Sequence, residues 1–367
     1  MYIYELEDWP RFHWSAERIA EPLASVRHRQ GRLIGHMEAL GFNLQQEAVL
    51  KTLTADVLKS SEIEGEKLDA EQVRSSIARR LGMDIGALKP ADRHVEGIVE
   101  LMLDATRNYN RPLTAERLFA WHASLFPTGR SAMTAIKVGG WRNDSTGPML
   151  VVSGPMGKEH VHYEAPKADR LDREMNSFLD WFEGDKSIDQ VLTAGLAHLW
   201  FVTIHPFDDG NGRIARAIAD MALARSEHSP QRFYSMSTQI RQERNDYYDI
   251  LERTQKGTMD ITLWMEWFIG CLGRGIDGAQ ETLSAVLAKA RFWHRIKEVK
   301  LNGRQRIVVS RLLDRFEGKL TTSRYGALAK CSQDTAQRDI QELIGHGVLV
   351  QNPGGGRSTS YSLAPSQ

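Results

Sequence analysis

The chain has 367 residues, with 47 Lys+Arg against 47 Asp+Glu, 41% apolar residues and two cysteines. That length carries two or three domains and a real core, which excludes a disordered chain, a collagen-like repeat and a disulfide miniprotein. A formal charge of zero removes bulk electrostatics as a reason to expect nucleic acid, an anionic membrane or an acidic substrate, so any basic site must be local.

Cys271 and Cys331 lie far apart without neighbouring His, and so make neither a zinc site nor a disulfide framework. MYIYELEDWPRFHW has no basic start and no apolar core of its own, and Val191 to Phe207, the longest uncharged run, is too short for a membrane span. The expected setting is reducing and cytoplasmic, with no membrane partner.

From Ala16 to Gly82 good helix formers dominate, and Leu50, Leu53 and Val57 recur at helix-face spacing. Trp9, Phe12 and Trp14, ahead of that region, read as apolar anchors. Thr114 is the predicted N-cap of AERLFAWHASLF, which should end near Pro127-Thr128-Gly129. Between Gly139 and Pro166 turn-forming residues are dense, and MLVVSG and EHVHYE predict a surface β-hairpin. His160, His162 and Glu164 alternate onto one strand face; nothing else completes a metal set, and a solvated face explains them.

Helices resume with RLDREMNSFLDWF and with the buried run ending at His205; a Gly-rich turn then leads into RIARAIADMALAR. A helix around Asn245 to Thr254 and the apolar ITLWMEWFIGCL follow, and Leu283, Val286, Leu287, Ala290 and Trp293 mark an amphipathic connector. Beyond Gly303, RIVVSRLLDRF, YGALAK and SQDTAQRDIQELIGHG give three helical patterns, and VLVQNPGGGRSTSYSL a Gly-tipped hairpin. That order reads as a winged helix-turn-helix. The expected fold class is mainly α, a helical bundle with a β-hairpin, a helical extension before it and a winged helix-turn-helix after it, divided as 1–108, 109–272, 273–300 and 301–367.

Chemistry concentrates in His205-Pro-Phe-Asp-Asp-Gly-Asn-Gly-Arg-Ile-Ala-Arg216. An imidazole closes a buried helix, a carboxylate follows at Asp209, and Gly210-Asn211-Gly212 runs straight into a new helix. Such a turn aims backbone N–H groups at one point, and the helix N-terminus adds partial positive charge, so anionic oxygens suit the place. Arg213 and Arg216, three apart, share a helix face and can clamp further phosphate oxygens through planar forks. Asp-Gly-Asn-Gly alone would be only a turn; the surrounding His, Phe, Asp and Arg make it more than one.

These twelve residues resemble the signature of the Fic family, H-x-F-x-D/E-G-N-G-R-x-x-R, at every fixed position. The resemblance extends over roughly Leu113 to Phe268, including GGWRND and RNDYYDIL. It implies a Fic-fold helical bundle whose hairpin is a flap, and transfer of AMP from ATP to a Ser, Thr or Tyr hydroxyl of a target protein, the chain itself included. It also implies that His205 is the general base, that Asp209 holds Mg2+, and that Gly210, Asn211, Gly212, Arg213 and Arg216 bind the phosphates. Tyr247 is the expected neighbour of the adenine, and Tyr248 packs equally well in a core. Phe207 pins the loop. Both glycines favour the AMP-transfer orientation over the reversed one of a kinase-like branch, although members of the fold also pass on UMP, GMP or phosphocholine.

Ser60-Ser-Glu-Ile-Glu64-Gly65 matches the family's inhibitory pattern S/T-x-x-x-E-G/N. The resemblance implies that Ser60 and Glu64, one helical turn apart, point together at Arg216, so that Glu64 occupies the guanidinium meant for the γ-phosphate. A further expectation, beside the brake, is that Glu64 positions a water that removes AMP from modified targets. The flap residues Val151, Val152, Ser153, His162 and Tyr163 are expected to meet an extended segment of the target by strand addition. Two partners stay open: a second copy of the chain, and DNA through residues 301–367, where nine Lys/Arg face five Asp/Glu. In that second reading the protein is a DNA-binding regulator, with Gln333, Thr335, Gln337 and Arg338 reaching bases and Asp334 and Asp339 opposing phosphate.

Overall fold

The computed structural model describes residues 1–83, 89–131, 133–145, 147–154, 158, 160–184, 187–313, 318–353 and 359–365. It is mainly α-helical and divides into two compact units, Met1–Thr282 and Leu283–Gln367. The tips of both expected hairpins, at 155–157 with 159 and at 354–358, fall outside the described residues. No helix among the described residues is long and apolar enough to cross a membrane.

The first unit opens with α1 (Ala16–Glu38), α2 (Phe42–Ile63), α3 (Ala70–Arg80), α4 (Arg93–Arg107) and α5 (Ala115–Leu125). Thr114 caps α5, its hydroxyl accepting from the Arg117 N–H at 3.2 Å. α4 lies between two patterns readable in the sequence; Asp92 caps it, and Val95, Ile98, Val99 and Met102 give it a buried stripe. α4 and α5 meet at Gly97, where an added Cβ would lie 1.7 Å from the Ser124 carbonyl oxygen. Gly97→Ala is therefore expected to cost at least about 2 kcal/mol by forcing two backbones apart, read as a lower urea midpoint; an unchanged midpoint would show that the contact yields freely.

Two short strands, β1 (Arg130–Ser131) and β2 (Thr134–Ala135), precede the hairpin of β3 (Leu150–Ser153) and β4 (His160–Glu164). β3 and β4 are antiparallel, with Val151 opposite Tyr163 and Val152 opposite Val161. Tyr163, expected among the residues that meet a target, instead anchors the hairpin: its ring is buried and its hydroxyl donates to the Thr203 carbonyl at 2.6 Å. A phenol on an inward-facing strand position gains more from core packing and one satisfied hydrogen bond than from solvent.

The remaining helices of this unit are α6 (Leu171–Glu183), α7 (Gln190–Ile204), α8 (Asn211–Glu227), α9 (Met236–Gln242), α10 (Arg244–Gln255) and the start of α11 (Thr262–Arg295). α7 has no charged residue, and every residue from Val191 to Ile204 is buried; it packs along α8. Trp9 and Phe12 pack edge-on against Trp200 of α7, and the Trp9 indole N–H donates to Glu174 at 2.7 Å. α11 joins ITLWMEWFIGCL and the expected connector into one continuous helix, and no proline interrupts them.

The second unit contains α12 (Gly303–Leu313), α13 (Thr322–Ala329), α14 (Gln333–Gly345) and the antiparallel pair β5 (Leu349–Gln351) and β6 (Tyr361–Leu363). Val308, Val309, Leu320, Tyr325, Ile340, Leu343 and Tyr361 form its core. Asp339, expected to oppose phosphate from the face of α14, is turned inward. It accepts from Arg304 Nε at 2.8 Å and from Asn302 at 3.2 Å. Its carboxylate therefore neutralises a cation of its own unit and presents no charge to solvent.

Candidate active site

α7 ends where His205 adopts a left-handed conformation, φ 52°. Its Nδ1 lies 3.2 Å from the Val202 carbonyl oxygen. A carbonyl only accepts, so Nδ1 carries the proton and Nε2 is left with the lone pair. Burial pushes the imidazole down to about 4, so the ring is neutral and basic at pH 7. Arg142, in the GGWRND segment, donates from Nε to the His205 carbonyl at 2.8 Å and from its backbone to the Pro206 carbonyl at 2.9 Å. The sequence marked this segment without showing its task, which is to fix the backbone that carries the imidazole.

The following loop is closed from inside. Phe207 is buried and stacks on His122, with centroids 4.2 Å apart and planes at 11°. His122 Nε2 lies 3.2 Å from the Asp209 carbonyl oxygen, and burial pushes that imidazole down to about 4 as well. Asn211, expected to bind phosphate with its side chain, closes a ring on Phe207 instead. Its Oδ1 accepts from the Phe207 N–H at 3.0 Å and its Nδ2 donates to the Phe207 carbonyl at 2.8 Å. The amide offers both the acceptor and the donor that the N–H and the carbonyl of this one residue require, so it shapes the loop. Gly210, φ +83°, carries no Cβ because one would meet the Phe126 ring at 2.9 Å.

α8 starts at once, and its first N–H groups open into a cavity of about 510 Å3, within the ~300–1,000 Å3 usual for small-molecule sites. His205, Asp209, Gly210, Asn211, Gly212, Tyr247 and Glu64 line it, as do Val151, Val152, Ser153, His162 and Tyr163 of the hairpin. Arg213 and Arg216 stand behind that surface.

The Glu64 carboxylate is seated at the N-terminus of α8, where an anion is favoured. A Cβ on Gly212 would lie 2.2 Å from its Oε1, and that same oxygen accepts from Arg216 Nη2 at 2.7 Å. Arg216 also donates from Nε to the Ser60 hydroxyl and from Nη2 to the Ser60 carbonyl, both at 2.9 Å. Its side chain is 1% exposed. Burial alone would lower its pKa; the facing Glu64 outweighs this and raises it, so the guanidinium stays charged. Arg216 Nη1 and Arg213 Nε are buried without a hydrogen-bond partner among the described residues. Two unsatisfied cationic donors beside a helix N-terminus mark a place for further anionic oxygens.

Asp209 accepts from the Gly210 N–H at 2.5 Å through Oδ1 and from the Ser131 hydroxyl through Oδ2. Ser131 carried no signal in the sequence. Asp208 accepts from the Lys137 N–H at 2.8 Å. This all-oxygen donor set at the cavity wall fits a hard cation such as Mg2+.

α10 supplies the opposite wall with Arg244, Tyr247, Tyr248, Leu251, Glu252 and Gln255, which recur at helix-face spacing. Tyr247 is buried, and its hydroxyl lies 2.9 Å from His198 Nε2, so it faces inward more than expected. Tyr248 is the more open of the pair. The set His160, His162 and Glu164 is corrected too: Glu252 of α10 joins the two imidazoles, their donor atoms lying within 4.8 Å of one another. His162 is bonded on both nitrogens, to Glu252 and to Ser153, each at 2.6 Å, and Glu252 is shared with Lys256. The cluster ties the hairpin to α10.

The fold and this site define a helical protein with an anion cradle between a buried helix and the next, faced by a β-hairpin. Residues 112–223 match the Fic/DOC family, and residues 2–83 match a domain of unknown function, DUF4172. The part of the chain that is similar to the Fic/DOC family is therefore residues 112–223, which hold the cradle. It is 34% identical over 116 residues to the protein adenylyltransferase Fic of Nematostella vectensis, covering 30% of this chain and 25% of that protein. It is 29% identical over 221 residues to the protein of the same name from Aedes aegypti, covering 59% and 39%. The chain thus matches well under half the length of these curated relatives. A Fic family protein from Desulfovibrio desulfuricans superposes with a TM-score of 0.56 at 19% identity, over 97% of this chain and 98% of that one. A Fic-domain protein from Bacteroides thetaiotaomicron gives 0.51 at 20%, over 71% and 97%. At these identities the likeness is one of fold.

Proposed function

We propose that this chain is a protein adenylyltransferase, transferring AMP from ATP to a hydroxyl of a target protein and held off by Glu64. The observation that carries the reading is the pairing, in one cavity, of a free imidazole lone pair at His205 with the α8 N-terminus, backed by two buried guanidinium groups. In the reaction a target hydroxyl oxygen attacks the α-phosphorus, His205 Nε2 takes its proton, and the bond to the leaving pyrophosphate breaks. N–H groups at the start of α8 stabilise the charge that gathers on the α-phosphate oxygens. Asp209 would hold Mg2+, which neutralises phosphate charge when bound. Arg216 and Arg213 orient the outer phosphates, and Tyr248 with Tyr247 offers rings for the adenine.

The hairpin supports an extended protein substrate. Leu150, Val152 and Val161 are exposed apolar side chains on its two strands, a surface suited to strand addition. The test is transfer of label from ATP, UTP, GTP and CTP in parallel by the Glu64→Gly form, with purified protein and with cell lysate. The expected result is transfer from ATP above the other three; label from another nucleotide alone would replace AMP by that group.

The pH dependence follows from His205. Its basic form exists above its pKa, which burial places at about 4, and removing the Glu64 charge pushes that value no higher, because the carboxylate favours the imidazolium. For Glu64→Gly, kcat/KM is expected to stay level from about pH 8 to about pH 5 and to fall below that. An acid limb near ~6.5, the value of a solvated imidazole, would refute the buried base.

A further inference from the structure

The segment that leaves α2 carries a second carboxylate at the same cradle. Gly65, φ +84°, turns the chain between Glu64 and Glu66, so that their side chains reach different arginines of α8. Glu64 takes Arg216; Glu66 Oε2 accepts from Arg213 Nη1 at 3.0 Å. Arg213 is 6% exposed and Glu66 34%, and the guanidinium lies over the Phe126 ring at 5.1 Å. The pair is therefore half desolvated, and the cation has little freedom to swing away from it.

The other oxygen of Glu66 is bonded to His94 Nε2, on α4. His94 Nδ1 in turn lies 3.2 Å from the Leu125 carbonyl oxygen at the end of α5. Both ring nitrogens thus face acceptors, an arrangement that a doubly protonated imidazole satisfies best. Glu66 sits between two cationic groups, and although burial opposes its charge, His94 and Arg213 hold it ionised.

We propose that Glu66 is a second inhibitory carboxylate, competing with the outer phosphates of a nucleotide for Arg213 while Glu64 competes for Arg216, and that His94 positions it. The inference rests on the nucleotide-binding reading of the site. A guanidinium already paired with a carboxylate attracts a phosphate less, and the carboxylate repels the incoming anion. Neither effect passes through Glu64.

The test uses the full chain as wild type, Glu66→Gln, Glu64→Gly and the double variant. Binding of inorganic tripolyphosphate is measured by calorimetry and AMP transfer alongside it, with melting curves for folding. Glu66→Gln is expected to tighten tripolyphosphate about three- to tenfold over its own background, both with and without Glu64. Unchanged affinity in both backgrounds overturns the proposal. A gain that disappears in the Glu64→Gly background overturns it too, because Glu66 would then act only by holding the segment that carries Glu64. Tighter tripolyphosphate with no AMP transfer in any variant keeps the second brake and discards the transfer reading; AMP transfer that Glu66→Gln leaves unaltered does the reverse. Should Glu66→Gln not fold, His94→Ala serves in its place, with a smaller gain expected as Glu66 is released from α4.

Discussion

Glu64→Gly is expected to raise incorporation of labelled AMP by about five- to 150-fold, the scale of a coupling free energy between ~1 and ~3 kcal/mol. The substitution removes the oxygen 2.7 Å from Arg216 Nη2 and clears the face of Gly212 at the α8 N-terminus. Arg216 keeps its place, because Ser60 still accepts from Nε and Nη2. The Nη2 N–H released by Glu64 joins Nη1, already without a partner among the described residues, as a donor for a γ-phosphate. The same change leaves a buried guanidinium short of a counter-charge, so the variant without nucleotide should melt lower than wild type, and Mg-ATP should raise its melting temperature by more. Equal incorporation by both forms, with equal melting shifts, would remove Glu64 as a brake.

His205→Ala in the Glu64→Gly background is expected to lower AMP transfer by about 10^2- to 10^4-fold, the usual contribution of a general base. Nucleotide affinity should change little, since the groups placed around phosphate belong to α8 and the imidazole faces the incoming hydroxyl. Position 205 has φ 52°, which costs Ala roughly 1 kcal/mol or more. His205→Asn is the control, because Asn tolerates that conformation and lacks a ring nitrogen of suitable basicity. Both variants should bind Mg-ATP and fail to transfer AMP. Transfer by His205→Asn within about threefold of its background would mean that another group, or water, takes the proton.

The readable features of this protein are local ones. A hydroxyl three residues ahead of the N–H it caps identified Thr114, turn residues between two β-prone runs identified the hairpin, and twelve consecutive residues identified the cradle. Ser60 and Glu64 were readable because helical periodicity places residues one turn apart on one face. Only tertiary packing decided the rest. Asn211 turned onto the Phe207 peptide, Tyr163 and Asp339 turned into their cores, and Glu252 replaced Glu164 beside the two flap histidines. Ser131 reached Asp209, and His94 reached Glu66 across 28 positions. Spacing along a chain determines which residues share a face, but the choice between solvent and a distant partner depends on which other element buries that face and which hydrogen bonds it must then satisfy.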